Sequence, residues 1–139
     1  MRTILLVDND QEYRQTMATI VRRAGYQVIQ ADTGSQALER VSLERPNLIM
    51  MDLEIASEEI VELTAWLRND LLRYDIPLIL YATEQDRRGI NETLRNDAAE
   101  VLAKPLSYTA VRDALCKHLR TFSNRPRPIP SPCFVPSPL

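Results

Sequence analysis

The chain has 139 residues, 45% apolar and 26% charged, which is the make-up of one soluble domain with a single hydrophobic core. A formal net charge of -2 gives no general attraction to nucleic acid, and no apolar run approaches the length of a membrane span. The N-terminus "MRTILLVDND" turns acidic before a signal-peptide core could form, so a cytoplasmic protein is expected.

"TILLVD" is a short continuous apolar run, the mark of a strand buried on both faces. The spacing of Tyr13, Met17, Ile20, Val21 and Ala24 predicts a first helix, with Asn9 or Asp10 as N-cap and Gly25 as terminator. "YQVIQA" reads as strand two, and Ala37, Leu38 and Val41 mark a second helix ending before Pro46. "NLIMMD" is strand three. Ile60, Leu63, Thr64, Leu67 and Leu71 line a third helix opened by Ser57, Glu58 and Glu59, whose charges suit its positive end. "IPLILYA" is strand four, followed by a mostly polar fourth helix around Asp86 to Asn96 with Ile90 and Leu94 as anchors. "AEVLA" is strand five, and Val111, Ala114, Leu115, Leu119 and Phe122 form the last helix.

After Thr121 the composition changes. "SNRPRPIPSPCFVPSPL" holds six of the nine prolines, which favours an extended segment outside any core. A folded domain over 1–121 and a Pro-rich tail or linker over 122–139 are therefore expected, with no space in this chain for an output domain. Cys116 and Cys133 are too few and too unpatterned for a disulfide framework or a zinc site.

Five strands alternating with five helices call for an α/β fold, a doubly wound five-stranded parallel sheet with helices on both faces. Ligands bind such sheets beyond the carboxyl ends of the strands, where the strand order reverses. Asp8, Asp52, Ala82 and Lys104 all fall at strand ends, so the fold would gather them into one pocket. Asp8, Asp52 and Asn9 offer the hard oxygens that magnesium prefers. A lysine facing them would complete a cradle for a phosphoryl group, and an aspartate can form an acyl phosphate.

At these residues the sequence resembles the receiver domain of bacterial two-component response regulators, over about residues 2 to 121. The carriers are "LLVDND", "RPNLIMMD", "IPLILYAT" and "LAKP", in that order. The resemblance implies a flavodoxin-like (CheY-like) fold and a signalling domain rather than an enzyme. It makes Asp52 the phosphoacceptor, with a sensor histidine kinase or phosphotransfer protein as partner. Asp8, Asn9, Asp52 and the backbone carbonyl of Glu54 would hold Mg2+, and Lys104 would pair with a phosphoryl oxygen. The Lys104 to Pro105 bond would be cis. Output would pass to a downstream protein through the fourth helix, strand five and the last helix. No nucleic-acid or membrane partner is implied, and a homodimer stays open.

The chain also departs from the family pattern. Asn9 stands where a second aspartate is usual, a loss on the order of a few kcal/mol beside a divalent ion at an effective dielectric of about 20, so weaker magnesium binding is expected. Ala82 aligns with the family's Ser or Thr and has no hydroxyl. Thr83 could replace it only if the strand end bends, because neighbouring strand side chains face opposite ways. Val101 stands where the signalling aromatic is usual, and Tyr81 either fills some of that space or is a packed strand residue. Glu54 either reaches Lys104 or is an exposed loop side chain. The leading reading is a receiver phosphorylated on Asp52. The alternative is a phosphorylation-independent pseudo-receiver acting as an interaction module. A flavodoxin-like enzyme is the third, disfavoured by carboxylates in "DNDQ" where a phosphate-bearing cofactor needs donors. His118 is expected to be solvated, and Trp66 to lie off the third helix's main apolar stripe, either as a partly exposed contact surface or as an ordinary half-buried tryptophan.

Overall fold

The computed structural model describes residues 2–55, 57–69 and 76–121. The first strand, β1 (Thr3–Val7), leads into helix α1 (Gln11–Arg23), then β2 (Gln27–Ala31) and α2 (Gly34–Glu44). Next come β3 (Leu48–Asp52), α3 (Ser57–Asn69), β4 (Leu78–Ala82), α4 (Glu84–Arg88), α5 (Glu92–Asp97), β5 (Glu100–Ala103) and α6 (Tyr108–Thr121). All strands pair in parallel in the order β2-β1-β3-β4-β5. The order reverses between β1 and β3, so the carboxyl ends of those two strands flank the crevice of a doubly wound sheet.

Strand alternation builds the two halves of the core. Ile4 and Leu6, Leu48 and Met50, and Ile79 and Tyr81 pack on one face with Met17 and Val21 of α1 and Val111 and Leu115 of α6. Their neighbours Leu5, Val7, Ile49, Met51, Leu78 and Leu80 pack on the other face with α2, α3 and α5. Because both faces are covered, β1, β3 and β4 read as unbroken apolar runs, which is why they were legible.

Helix ends follow local chemistry. Asp10, not Asn9, caps α1, its carboxylate accepting the Glu12 and Tyr13 backbone N–H groups. Gly25 follows at φ 102°, a left-handed position that suits a residue without Cβ. Arg45 takes the same region at φ 47° to end α2 immediately before Pro46.

Two expectations need correction. The polar stretch after β4 is two short helices, not one. Gly89 ends α4, and the Asn91 side chain accepts the Leu94 N–H to open α5. Ile90, one of the two anchors expected for a single helix, lies in the break. His118 is also corrected: it is buried, with Nε2 2.6 Å from Glu100 Oε1. It lies one turn from Ala114 and Leu115, so it shares their inward stripe. Trp66 is half-buried against the α3 side of the core. Leu71, Phe122, Cys133 and the Pro-rich segment 122–139 lie outside the described residues.

Candidate functional site

The same alternation that builds the core builds the site. Asp8 follows Leu6 by two residues and Asp52 follows Met50 by two, so both carboxylates continue the rows that face α1 and α6. Lys104 likewise follows Leu102, held beside β4 by its N–H to the Ala82 carbonyl at 2.7 Å. Asp8 and Asp52 are both 0% exposed. Lys104 Nζ donates to Asp52 Oδ2 at 2.7 Å, joining residues from opposite parts of the chain.

Every carboxylate oxygen of this pair has a donor. Asp52 Oδ1 accepts the Glu54 N–H at 2.9 Å, as the chain curls out of β3. Asp8 Oδ1 accepts the Asp10 N–H at 2.9 Å, and Asp8 Oδ2 accepts the Tyr81 hydroxyl at 2.7 Å. Arg14 steadies the loop between them, donating to the Asp8 carbonyl at 2.6 Å and to Gln30.

Charge is unevenly balanced. Burial pushes the Asp8 carboxyl above its ordinary range, the nearby Asp52 charge adds to the rise, and the Tyr81 and Asp10 hydrogen bonds oppose it. Burial pulls the Lys104 ammonium down, but its bond to Asp52 and the charges of Asp52, Asp8 and Glu54 outweigh this and leave it raised. The Tyr81 phenol is pushed far up by burial and by Asp8, so it stays a neutral donor.

The other expected site residues are placed as follows. Asn9 lies exposed between β1 and α1. Glu54 fits both descriptions given to it, with a side chain 58% exposed and an Oε2 3.8 Å from Lys104 Nζ. Ala82 is buried at the end of β4. Thr83 is exposed, and its hydroxyl caps α4 by accepting the Asp86 N–H at 3.2 Å. Lys104-Pro105 is cis. Two residues were missed as parts of the site, Tyr81 and Tyr13. Tyr81 is the register partner of Asp52, and that pairing was the available signal.

A family model for the response regulator receiver domain matches residues 4–116. The chain belongs to that family. Among curated relatives, this receiver is 31% identical over 121 residues to sporulation initiation phosphotransferase F of Bacillus subtilis, covering 87% of this chain and 96% of that protein. It is 27% identical to the polar-differentiation response regulator DivK of Brucella anthropi, covering 85% and 96%. It is 29% identical to the phosphate regulon regulator PhoB of Pseudomonas aeruginosa, but spans only 46% of that protein. Among solved structures, the receiver domain of a histidine kinase from Syntrophus aciditrophicus has a TM-score of 0.77 at 25% identity, covering 94% of this chain and 98% of that one. The response regulator TrrA of Thermotoga maritima, solved in complex with Mg2+-BeF, has a TM-score of 0.73 at 21% identity, covering 85% and 99%.

Receiver domains are signalling domains of phosphorelays, and they interact with histidine kinases and phosphotransfer proteins. The family generally binds Mg2+. Among the described residues no group of three or more His, Cys, Asp or Glu side chains could hold a metal. The donor set nevertheless fits magnesium. Two fully buried carboxylates share one ammonium, burial and the Asp52 charge raise the Asp8 carboxyl above its ordinary range, and the oxygens are hard. No helix among the described residues is long and apolar enough to cross a membrane.

Proposed function

We propose that this receiver accepts a phosphoryl group on Asp52 from the phosphohistidine of a partner kinase or phosphotransfer protein, working in the cytoplasm. The observation that carries the reading is the 2.7 Å contact between Lys104 Nζ and Asp52 Oδ2 at the sheet's crevice. In the transfer, an Asp52 carboxylate oxygen forms the new O–P bond. The donor's P–N bond breaks, and its electron pair stays with the departing imidazole, which takes up a proton. Lys104 moves from the carboxylate to a phosphoryl oxygen, exchanging one anionic partner for another.

Asp8, Asn9, Asp52 and the Glu54 backbone carbonyl are the residues that would hold Mg2+, which supplies charge neutralisation for the phosphoryl oxygens. Asn9 contributes an amide rather than a carboxylate, so weak affinity is part of the proposal. Output passes through protein contacts on the face of α4, α5, β5 and α6.

Exposure to a small phosphodonor with Mg2+, followed by intact-mass measurement, tests the proposal. Gain of one phosphoryl group by the parent and none by Asp52→Asn is the expected result; no gain by the parent overturns it. The second reading, an interaction module independent of phosphate, is favoured by one observation. Ala82, where the family pattern has Ser or Thr, offers no hydroxyl, and the Thr83 side chain is turned to the start of α4, where its hydroxyl accepts the Asp86 N–H.

A further inference from the structure

Around the Lys104 ammonium stand Asp52, the more distant Glu54 carboxylate, and two aromatic rings. Nζ lies 4.7 Å from the centroid of Tyr13 and 5.6 Å from that of Tyr81. The rings themselves are 5.9 Å apart and tilted by 36°, so they form one surface under the cation. The Lys104 side chain is only 18% exposed, which removes much of the water that would otherwise solvate its remaining N–H groups. Ring faces carry negative charge density and replace part of that hydration.

The two rings are held differently. Tyr81 is fixed by its strand and by its hydroxyl on Asp8. Tyr13 stands on α1, where the Asp10 cap accepts its N–H. Of the four groups around Nζ, Tyr13 alone stands on a helix. At the end of β4, Ala82 has no hydroxyl and the Thr83 side chain is turned to cap α4.

We propose that Tyr13 and Tyr81 form an aromatic seat that positions the Lys104 ammonium against Asp52, and that Tyr13 is the positioning residue through which α1 follows the state of the acceptor. The proposal deepens the receiver reading and rests on it in taking Lys104 as the group that answers to Asp52. Signalling by this chain then involves the α1 side of the sheet.

The test uses the full chain without metal or phosphodonor. Lys104 and Lys117 are its two lysines, so acylation at fixed pH with peptide mass spectrometry reads Lys104 against an internal reference on exposed α6 surface. Tyr13→Leu is expected to raise the Lys104 rate relative to Lys117 by about threefold to tenfold, whereas Tyr13→Phe, which keeps the ring, stays within about twofold of the parent. In the other direction, Asp52→Asn is expected to shift the 13C ring resonances of Tyr13 and leave those of Tyr26, far from the site, in place.

An unchanged ratio in Tyr13→Leu overturns the proposal, as does Tyr13→Phe behaving like Tyr13→Leu. Unmoved Tyr13 resonances in Asp52→Asn overturn it too, and decide the matter if Tyr13→Leu fails to fold. Because no phosphodonor is involved, a chain that passes these tests yet gains no phosphoryl group loses the acceptor reading and keeps the seat.

Discussion

Replacing Tyr81 with Phe removes one oxygen from the centre of the site and leaves its packing in place. Tyr81 and Asp8 are both 0% exposed, and their bond is 2.7 Å. No water reaches Asp8 Oδ2 to take over when the hydroxyl goes. A hydrogen bond to a charged group contributes about 1.5–3 kcal/mol, so Tyr81→Phe should lose about that much stability at neutral pH. For a domain of this size the thermal midpoint should fall by roughly 5–15 °C.

The loss should also depend on pH. In the parent, the folded Asp8 carboxyl sits above its ordinary value, so the native state holds its proton more tightly than the unfolded state does. That makes Asp8 a source of stability that is present at acid pH and declines as pH rises from the ordinary carboxylate range through the folded value. The Tyr81 bond opposes the rise, so removing it raises the folded value further and extends the decline. In acid, where both states carry a neutral carboxyl, only a neutral hydrogen bond of about 0.5–1.5 kcal/mol is at stake. Urea denaturation of parent and variant at a series of pH values without divalent ions measures this. A penalty that is flat with pH, or below about 0.5 kcal/mol at neutrality, would refute the reasoning.

Other perturbations have separate outcomes. Lys104→Met leaves Asp52 buried opposite Asp8 with no cation, so it should lower stability by about 1–3 kcal/mol without Mg2+, and saturating Mg2+ should recover part of the loss; thermal melts with and without the ion check both. Gly34→Ala would place a Cβ 2.5 Å from Glu59 Cβ where α2 meets α3, and should cost about 1–3 kcal/mol in a denaturation curve. Arg87 donates through Nε to the Val101 carbonyl at 3.0 Å, fastening α4 to the edge strand. Arg87→Leu should therefore speed amide exchange in α4 and β5 while leaving β1 and β3 at parent rates.

The sheet and the acid pair were legible because a parallel sheet buries both faces, turning β1, β3 and β4 into runs that each end abruptly on a functional side chain or on Ala82. What resisted reading depended on side-chain direction. Tyr81 sits among apolar strand residues, and only its register with Asp52 marks it as a donor into the site. Tyr13 was read as the first apolar position of α1, which it is, but its ring also underlies Lys104. A position late in the final helix suggests a solvated His118, but its spacing from Ala114 and Leu115 places it inward. The break between α4 and α5 is signalled by Gly89 and Asn91, both with terminal chemistry, whereas Ile90 and Leu94 have the spacing of one continuous helix.

The most direct measurement is the initial rate of phosphoryl gain from a small phosphodonor, followed by intact mass across a Mg2+ titration for the parent, Asp52→Asn and Lys104→Met. The account predicts a rate that climbs and saturates with Mg2+ in the parent, vanishes in Asp52→Asn and drops sharply in Lys104→Met. A parent chain that gains nothing at any Mg2+ concentration, or gains equally with Asn at position 52, would contradict it.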